Sequence, residues 1–423
     1  MQNSLAERIL LRFWKSTINR RVKEITKQMK KNKLQKITVA FAGGGTGGHI
    51  YPGLAIADEL KTICKEQGID INIVWIGNSS GMDKNIVESN LGLDYLPSVD
   101  KFYGIPSGKL RRYFSFKNFT DLFKIAAGCI AAFFILLKIK PVVLFSKGGF
   151  VSVPPCFVAK LLKIKVYTHE CDFTPGLATK INSRFATKIL LSYEETKEFM
   201  SKDYAQKTVV MGNPVRPVFY STDSKIGRDF VNFGYSKKTK PVLFVMGGSL
   251  GAKQINDLVF ENLEFLCKRF YVVHQTGIKN EESLPEIPDN VKDSYRQFSF
   301  IYEQMPHVME YADVILSRAG ANSLWECAVL KKPLVLIPLC GAGTRGDQLD
   351  NAEFFEKKGA AIVLTGEYAA SDPLKNALSA MLDAKKRKLF SEAMGNLLDK
   401  KRSAWKIADL IFTDCIKNKD KEG

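Results

Sequence analysis

Short apolar runs ending in glycine clusters recur along this chain, and each cluster opens a segment of helix length. The run 37–42 leads into Gly43, Gly44, Gly45, Thr46, Gly47, Gly48 and His49, followed by Pro52 and Gly53. Two hundred residues later, 241–246 leads into Gly247, Gly248, Ser249 and Gly251. A strand that passes through a glycine turn into a helix lets the backbone approach an anionic ligand at the helix amino end. Runs at 71–76, 142–145, 165–168, 189–191 and 209–211 continue the first series; 270–274, 312–316, 333–338 and 361–364 continue the second. Strands alternating with helices predict parallel sheets covered on both faces. The fold class expected is therefore α/β, with two Rossmann-like domains facing a cleft and ligands at the carboxyl ends of the strands. The divisions implied are an extension over 1–36, domains over 37–213 and 214–400, and a C-terminal helix and charged tail over 401–423 that packs back on the first domain. Residues 214–240, with Pro214, Pro217 and a polar stretch, read as the linker.

The 423 residues carry 62 Lys+Arg against 44 Asp+Glu, a net charge of +18. That excess is segregated. Residues 1–36 hold 11 basic side chains against Glu7 and Glu24, and 101–140 hold eight against Asp121, which leaves +2 for the rest. This distribution argues against a uniformly basic nucleic-acid coat. The 8 cysteines form no C-x-x-C pair, and the 4 histidines have no ligand spacing to them. No disulfide framework, structural zinc site or other cofactor is expected, and a reducing compartment suits the chain. The longest predominantly apolar uncharged run, 125–137 between Lys124 and Lys138, is shorter than the about 20 residues a bilayer span needs. The expectation is a chain that lies on a membrane or is soluble, without crossing.

Several side chains stand where chemistry would be done. His49, at a ligand-facing helix start, suits a general base; the plainer reading is a helix-capping histidine in a tight turn. Ser249 and the N–H groups after it suit a diphosphate. Glu326 follows the turn Ser317-Arg318-Ala319-Gly320 on the first turns of a helix, where it can accept two hydrogen bonds from a ribose diol or simply favour the helix dipole. Asp347 and Gln348, in a polar loop, either meet sugar hydroxyls or are solvated.

The ordered set of motifs resembles the MurG family of membrane-associated N-acetylglucosaminyltransferases. It comprises 44–53 (GGTGGHIYPG), 148–152 (GGFVS), His169-Glu170, 212–216 (GNPVR), 247–252 (GGSLGA), 318–326 and Gly346-Asp347-Gln348. The resemblance implies a GT-B glycosyltransferase, inverting and independent of metal, with UDP-N-acetylglucosamine as donor. Lipid I, the undecaprenyl-pyrophosphoryl-N-acetylmuramyl-pentapeptide, is the implied acceptor, giving lipid II for peptidoglycan synthesis. It also implies His49 as the base and donor contacts at Thr46, Gly47, Gly48, Asp172, Arg216, Ser249, Ile301, Ala321, Asn322, Ser323, Leu324, Trp325, Glu326 and Gln348. Ile301 would offer its backbone to uracil and Glu326 would hold the ribose. Three positions depart from the family pattern. Asp172 and Asp347 stand where many or some members have amides, and Phe150 where some have tyrosine.

The basic regions point to a surface. Lys109, Arg111, Arg112, Phe114, Phe116 and Lys117 interleave cations with aromatics, which suits an anionic membrane interface; the following run 125–137 reads chiefly as a core helix. In 1–36, Leu11, Trp14, Ile18, Val22, Ile25 and Met29 share one helical face among cations, an interfacial or partner-binding helix; a true start at Met29 is the alternative. The implied place of work is the cytoplasmic face of the inner membrane, held peripherally, with cell-wall synthesis proteins as further partners. Two rivals stay open: another GT-B transferase acting on a membrane glycolipid such as diacylglycerol, and a basic nucleic-acid-binding protein.

Overall fold

The structure is a computed structural model that describes residues 36–92, 95–108, 116–234, 239–248, 250–278, 285–341 and 344–417. The extension expected over 1–36 therefore lies outside the described residues except for Lys36.

The first domain is a seven-stranded parallel sheet: β1 (Ile37–Ala42), β2 (Ile71–Asn78), β3 (Lys101–Ile105), β4 (Val143–Ser146), β5 (Lys165–Glu170), β6 (Lys188–Leu191) and β7 (Thr208–Val210). Its order is β3-β2-β1-β4-β5-β6-β7. The second domain repeats the plan with β8 (Val242–Met246), β9 (Tyr271–Gln275), β10 (Tyr295–Phe298), β11 (Val314–Ser317), β12 (Leu334–Leu336) and β13 (Ala361–Val363), ordered β10-β9-β8-β11-β12-β13. In each sheet the order of successive strands switches sides between the first and fourth strands, so a crevice opens above β1/β4 in one domain and β8/β11 in the other. Glycine clusters follow β1, β4 and β8, and a lone Gly320 follows β11. The central strands β4 and β8 are buried along their whole length, as apolar runs covered on both faces must be.

The edge strands β3 and β10 were not legible as apolar runs. Each has partly exposed polar positions, and β10 reads YRQF. The segment read as a linker is partly folded. Helix Ser224–Val231 packs so closely on helix Met305–Tyr311 that a Cβ on Gly227 would lie 2.1 Å from the His307 carbonyl oxygen. At the other end, Ile407, Ala408, Ile411 and Phe412 join the first domain's core beside Leu54, Ile73 and Trp75. Burying such side chains contributes about 1.5–3 kcal/mol each, so the chain's last helix belongs energetically to its first domain.

Helix Phe116–Ile139 corrects the sequence reading of the basic region. Lys124 and Lys138 do not end the apolar segment, because the helix runs through both, and Thr120–Ile139 is long and apolar enough to cross a membrane. One face is core: Ala132 and Leu136 pack with Ile105, Val151 and Cys156. A Cβ on Gly128 would come within 2.4 Å of the Pro106 carbonyl oxygen, so this glycine lets the helix sit tightly on the domain. The opposite face is apolar yet open, with Leu122, Phe123, Ile130 and Phe134 each 58–65% exposed. The 125–137 stretch is thus core on one side only. Of the expected interface residues, Phe116 and Lys117 open this helix, whereas Lys109, Arg111, Arg112 and Phe114 lie outside the described residues.

Candidate active site

The first glycine loop is wound around a carboxylate. Asp83, almost fully buried, accepts the Gly45 N–H at 2.9 and 3.1 Å and the Asn78 N–H at 2.8 Å. A Cβ on Gly44 would stand 1.7 Å from Asp83 Oδ2, so only glycine fits there. The loop ends in the single turn Gly47–His49 and brings the His49 ring against Gly149, whose φ of 75° and lack of a Cβ admit it. His49 Nδ1 is buried without a hydrogen-bond partner among the described residues. Burial first, and then the nearby Lys147 cation, push the His49 pKa down to about 4, while Asp172 opposes them. The imidazole is therefore neutral near pH 7 and able to accept a proton.

Two cavities meet at this loop. The larger, about 470 Å³, lies between the domains and is lined by Thr46, Gly47 and Gly48 on one side and by Ile301, Ser323 and Glu326 on the other. The smaller, about 260 Å³, is mainly apolar and is lined by Gly45, Thr46, His49, Phe150 and Ile125. Thr46 borders both, and Ile125 belongs to the helix with the open apolar face. A further cavity of about 580 Å³ lies elsewhere; its charges are largely paired already, as Lys61–Asp100 and Arg402–Glu59.

In the interdomain cavity, Arg216 directs Nε and Nη2 to Glu326 Oε1 at 3.2 and 3.1 Å, which leaves Oε2 outside that pair. The guanidinium also stacks between the rings of Tyr51 and Phe219, each 4.9 Å from centroid to Cζ. Burial raises the Glu326 pKa, and Arg216 counters that shift. Asn322 ties the walls together: its Nδ2 donates to the Gly48 carbonyl at 2.9 Å, and its Oδ1 accepts from Asn213 at 3.1 Å. The Ile301 N–H is already held by Gln275 Oε1 at 2.9 Å, so its carbonyl is the backbone group left for a base.

The other expected positions fall elsewhere. Ser249 lies outside the described residues. Leu324 and Trp325 turn their side chains into the core of the second domain and Ala321 is buried, so any ligand contact there would have to come from backbone. Trp325 Nε1 instead donates to Tyr193 OH of the first domain at 3.0 Å. Gln348 Oε1 accepts the Leu339 N–H at 3.0 Å and does not line the interdomain cavity. Asp172 is not at that cavity either; it is bonded to Arg345 and Asn351 of the second domain. Donor atoms of Glu170, Cys171 and Asp172 come within 4.8 Å of one another, the one group among the described residues with metal-ligand spacing. The Glu170 carboxylate, however, accepts three backbone N–H groups, and Asp172 holds a guanidinium, so this set is already spent. Sequence reasoning missed Asp83, Lys147 and Arg345. Each is a lone charged residue, and no periodic pattern marks it.

The model of the glycosyltransferase family 28 N-terminal domain matches residues 39–191, and that of its C-terminal domain matches 242–410. A Treponema denticola protein named UDP-N-acetylglucosamine--N-acetylmuramyl-(pentapeptide) pyrophosphoryl-undecaprenol N-acetylglucosamine transferase is 52% identical over 341 residues, 79% of this chain and 85% of that protein. The chain belongs to the MurG family of glycosyltransferases. A Clostridium botulinum protein of the same name is 40% identical over 86% of this chain and 94% of its own. Among solved structures, Acinetobacter baumannii MurG superposes with a TM-score of 0.64 at 23% identity, covering 89% of this chain and 99% of that one. A UDP-GlcNAc 2-epimerase from Neisseria meningitidis, bound to UDP-GlcNAc, gives 0.60 at 13% identity, over 90% and 100% of the chains. Those two likenesses concern the fold. This MurG-family chain is thus a two-domain glycosyltransferase with the crevices of both domains turned to one cleft.

Proposed function

We propose that this enzyme transfers N-acetylglucosamine from UDP-N-acetylglucosamine to the C4 hydroxyl of the muramyl sugar of lipid I, with inversion, releasing lipid II and UDP. The observation that carries this reading is the junction of two unlike cavities at Thr46. Glu326 and Arg216 stand on the polar side, where a nucleoside diphosphate sugar fits. His49 and an apolar wall stand on the other, where a lipid-linked acceptor fits.

The acceptor oxygen bonds to the anomeric carbon, the bond from that carbon to the diphosphate oxygen breaks, and His49 takes the hydroxyl proton. The electron pair leaves with UDP. Gly248, on the cavity wall, precedes the amino end of helix Lys253–Glu261, whose partial positive charge favours the departing diphosphate. Glu326 Oε2 is the acceptor for the ribose hydroxyls.

The open apolar face of Phe116–Ile139 rests on the anionic cytoplasmic leaflet, with the basic residues before it meeting lipid headgroups. Because Ile125 on that helix also lines the cavity holding His49, the membrane contact and the acceptor site are continuous. Replacing His49 by Ala is expected to lower kcat by about 10²–10⁴-fold, the range of general base catalysis. The dissociation constant for UDP-N-acetylglucosamine, read by calorimetry, should hardly move. An H49A enzyme with unchanged kcat would remove His49 as the base.

A further inference from the structure

Arg345 reaches out of the second domain into the first. Its guanidinium pairs with Asp172 in the 171–176 loop and, at 3.3 Å, with Asp347 of its own domain. The receiving loop is built for this. Glu170, at the end of β5, takes the N–H groups of Cys171, Asp172 and Gly176 at 2.9, 3.1 and 2.8 Å, and that curl presents the Asp172 side chain across the cleft. Gly176 has an ordinary φ of −68°, so its backbone does not require glycine, but a Cβ there would stand 2.5 Å from Arg345 Nη1. The missing side chain makes room for the guanidinium. Around it, Phe173 N–H donates to Asn351 Oδ1 at 2.8 Å, Thr174 Oγ1 donates to Asp350 Oδ2 at 2.7 Å, and Asn351 Nδ2 reaches Asp172 Oδ1 at 3.2 Å. The charges of Arg345, Asp172 and Asp347 form one unit.

We propose that Arg345 is a positioning residue for glycosyl transfer, a latch that draws the 171–176 loop and the His49 wall of the first domain onto the second when the cleft closes. It lines neither cavity at Thr46, so it acts without touching the donor. The inference rests on the transfer reaction proposed above.

The charged groups around His49 are Lys147 after β4, Asp172 after β5 and Arg345 from the second domain. Arg345 and Lys147 disfavour the protonated imidazole and Asp172 favours it. The two ends of the latch therefore have opposite electrostatic effects on the same ring while sharing one mechanical role. The test uses the whole enzyme with UDP-N-acetylglucosamine and a lipid I analogue. Transfer by the unaltered enzyme checks the underlying reaction first; its absence would overturn that reaction and the latch with it. Given transfer, R345M and D172N are each expected to lower kcat by about tenfold or more, as a displaced catalytic wall does. Donor affinity should stay within about twofold, and the double variant should lose no more than the worse single one, as for two ends of one contact. The acid limb of the kcat/KM profile should move up in pH for R345M and down for D172N. Single variants with unaltered kcat, losses that multiply in the double variant, or limbs that move the same way would overturn the latch.

Discussion

Glu326 is half-buried on a cavity wall and Lys147 is fully buried, and their surroundings separate their roles. Glu326 has Arg216 as a partner, so its carboxylate is compensated at the position proposed to hold the ribose. Lys147 follows β4, is 1% exposed, and its ammonium has no hydrogen-bond partner among the described residues. An unpaired buried cation is costly, and the cost is tolerable where its field is used. Lys147 disfavours protonation of His49, so its removal must raise the His49 pKa from about 4 toward 6.5. The K147M enzyme is expected to lose activity at a higher pH on the acid side, with no loss of Tm because an unpaired ammonium is replaced by an apolar chain. A pH–rate profile and a melting curve check both. Glu326 was legible because strand, glycine turn and helix fix where its side chain emerges. Lys147, Asp83 and Arg345 were not, because their importance comes from tertiary burial and partners that no local spacing encodes.

Helix Phe116–Ile139 shows how an element can be read in part. Its apolar character was plain, but a core helix and an interfacial helix share that composition. Only packing tells which face β3 and helix Val153–Leu161 cover and which stays open. The charges that seemed to delimit it, Lys124 and Lys138, lie within the helix. Edge strands β3 and β10 escaped notice for the converse reason: half-exposed strands carry too few apolar residues to stand out. If the open face meets lipid, Ile130→Asp with Phe134→Asp should weaken partition onto anionic vesicles by at least about tenfold, since each buried apolar side chain is worth about 1.5–3 kcal/mol. Transfer to a short-chain, soluble acceptor should persist. Sedimentation with vesicles measures the first effect and a kinetic assay the second; unchanged partition would remove this face from the membrane.

Across the whole molecule, two sheets whose first six strands share one order confront their crevices, so the segments after β1, β8 and β11 line one cavity and those after β1 and β4 the other. That arrangement was readable from the repeated rhythm of runs and turns. How the halves engage was not. The bonds from Asn322 to Gly48, from Trp325 to Tyr193 and from Asp172 to Arg345 join residues more than a hundred positions apart. The fold alone is shared with UDP-GlcNAc 2-epimerases, so the chemistry is argued from the site and not from the fold. The most direct measurement follows radiolabelled N-acetylglucosamine from UDP-N-acetylglucosamine with the purified enzyme, with and without lipid I. The account predicts label on the lipid and stoichiometric UDP, both strictly dependent on lipid I. Label remaining on the nucleotide as an epimer, or passing to diacylglycerol in preference to lipid I, would contradict it.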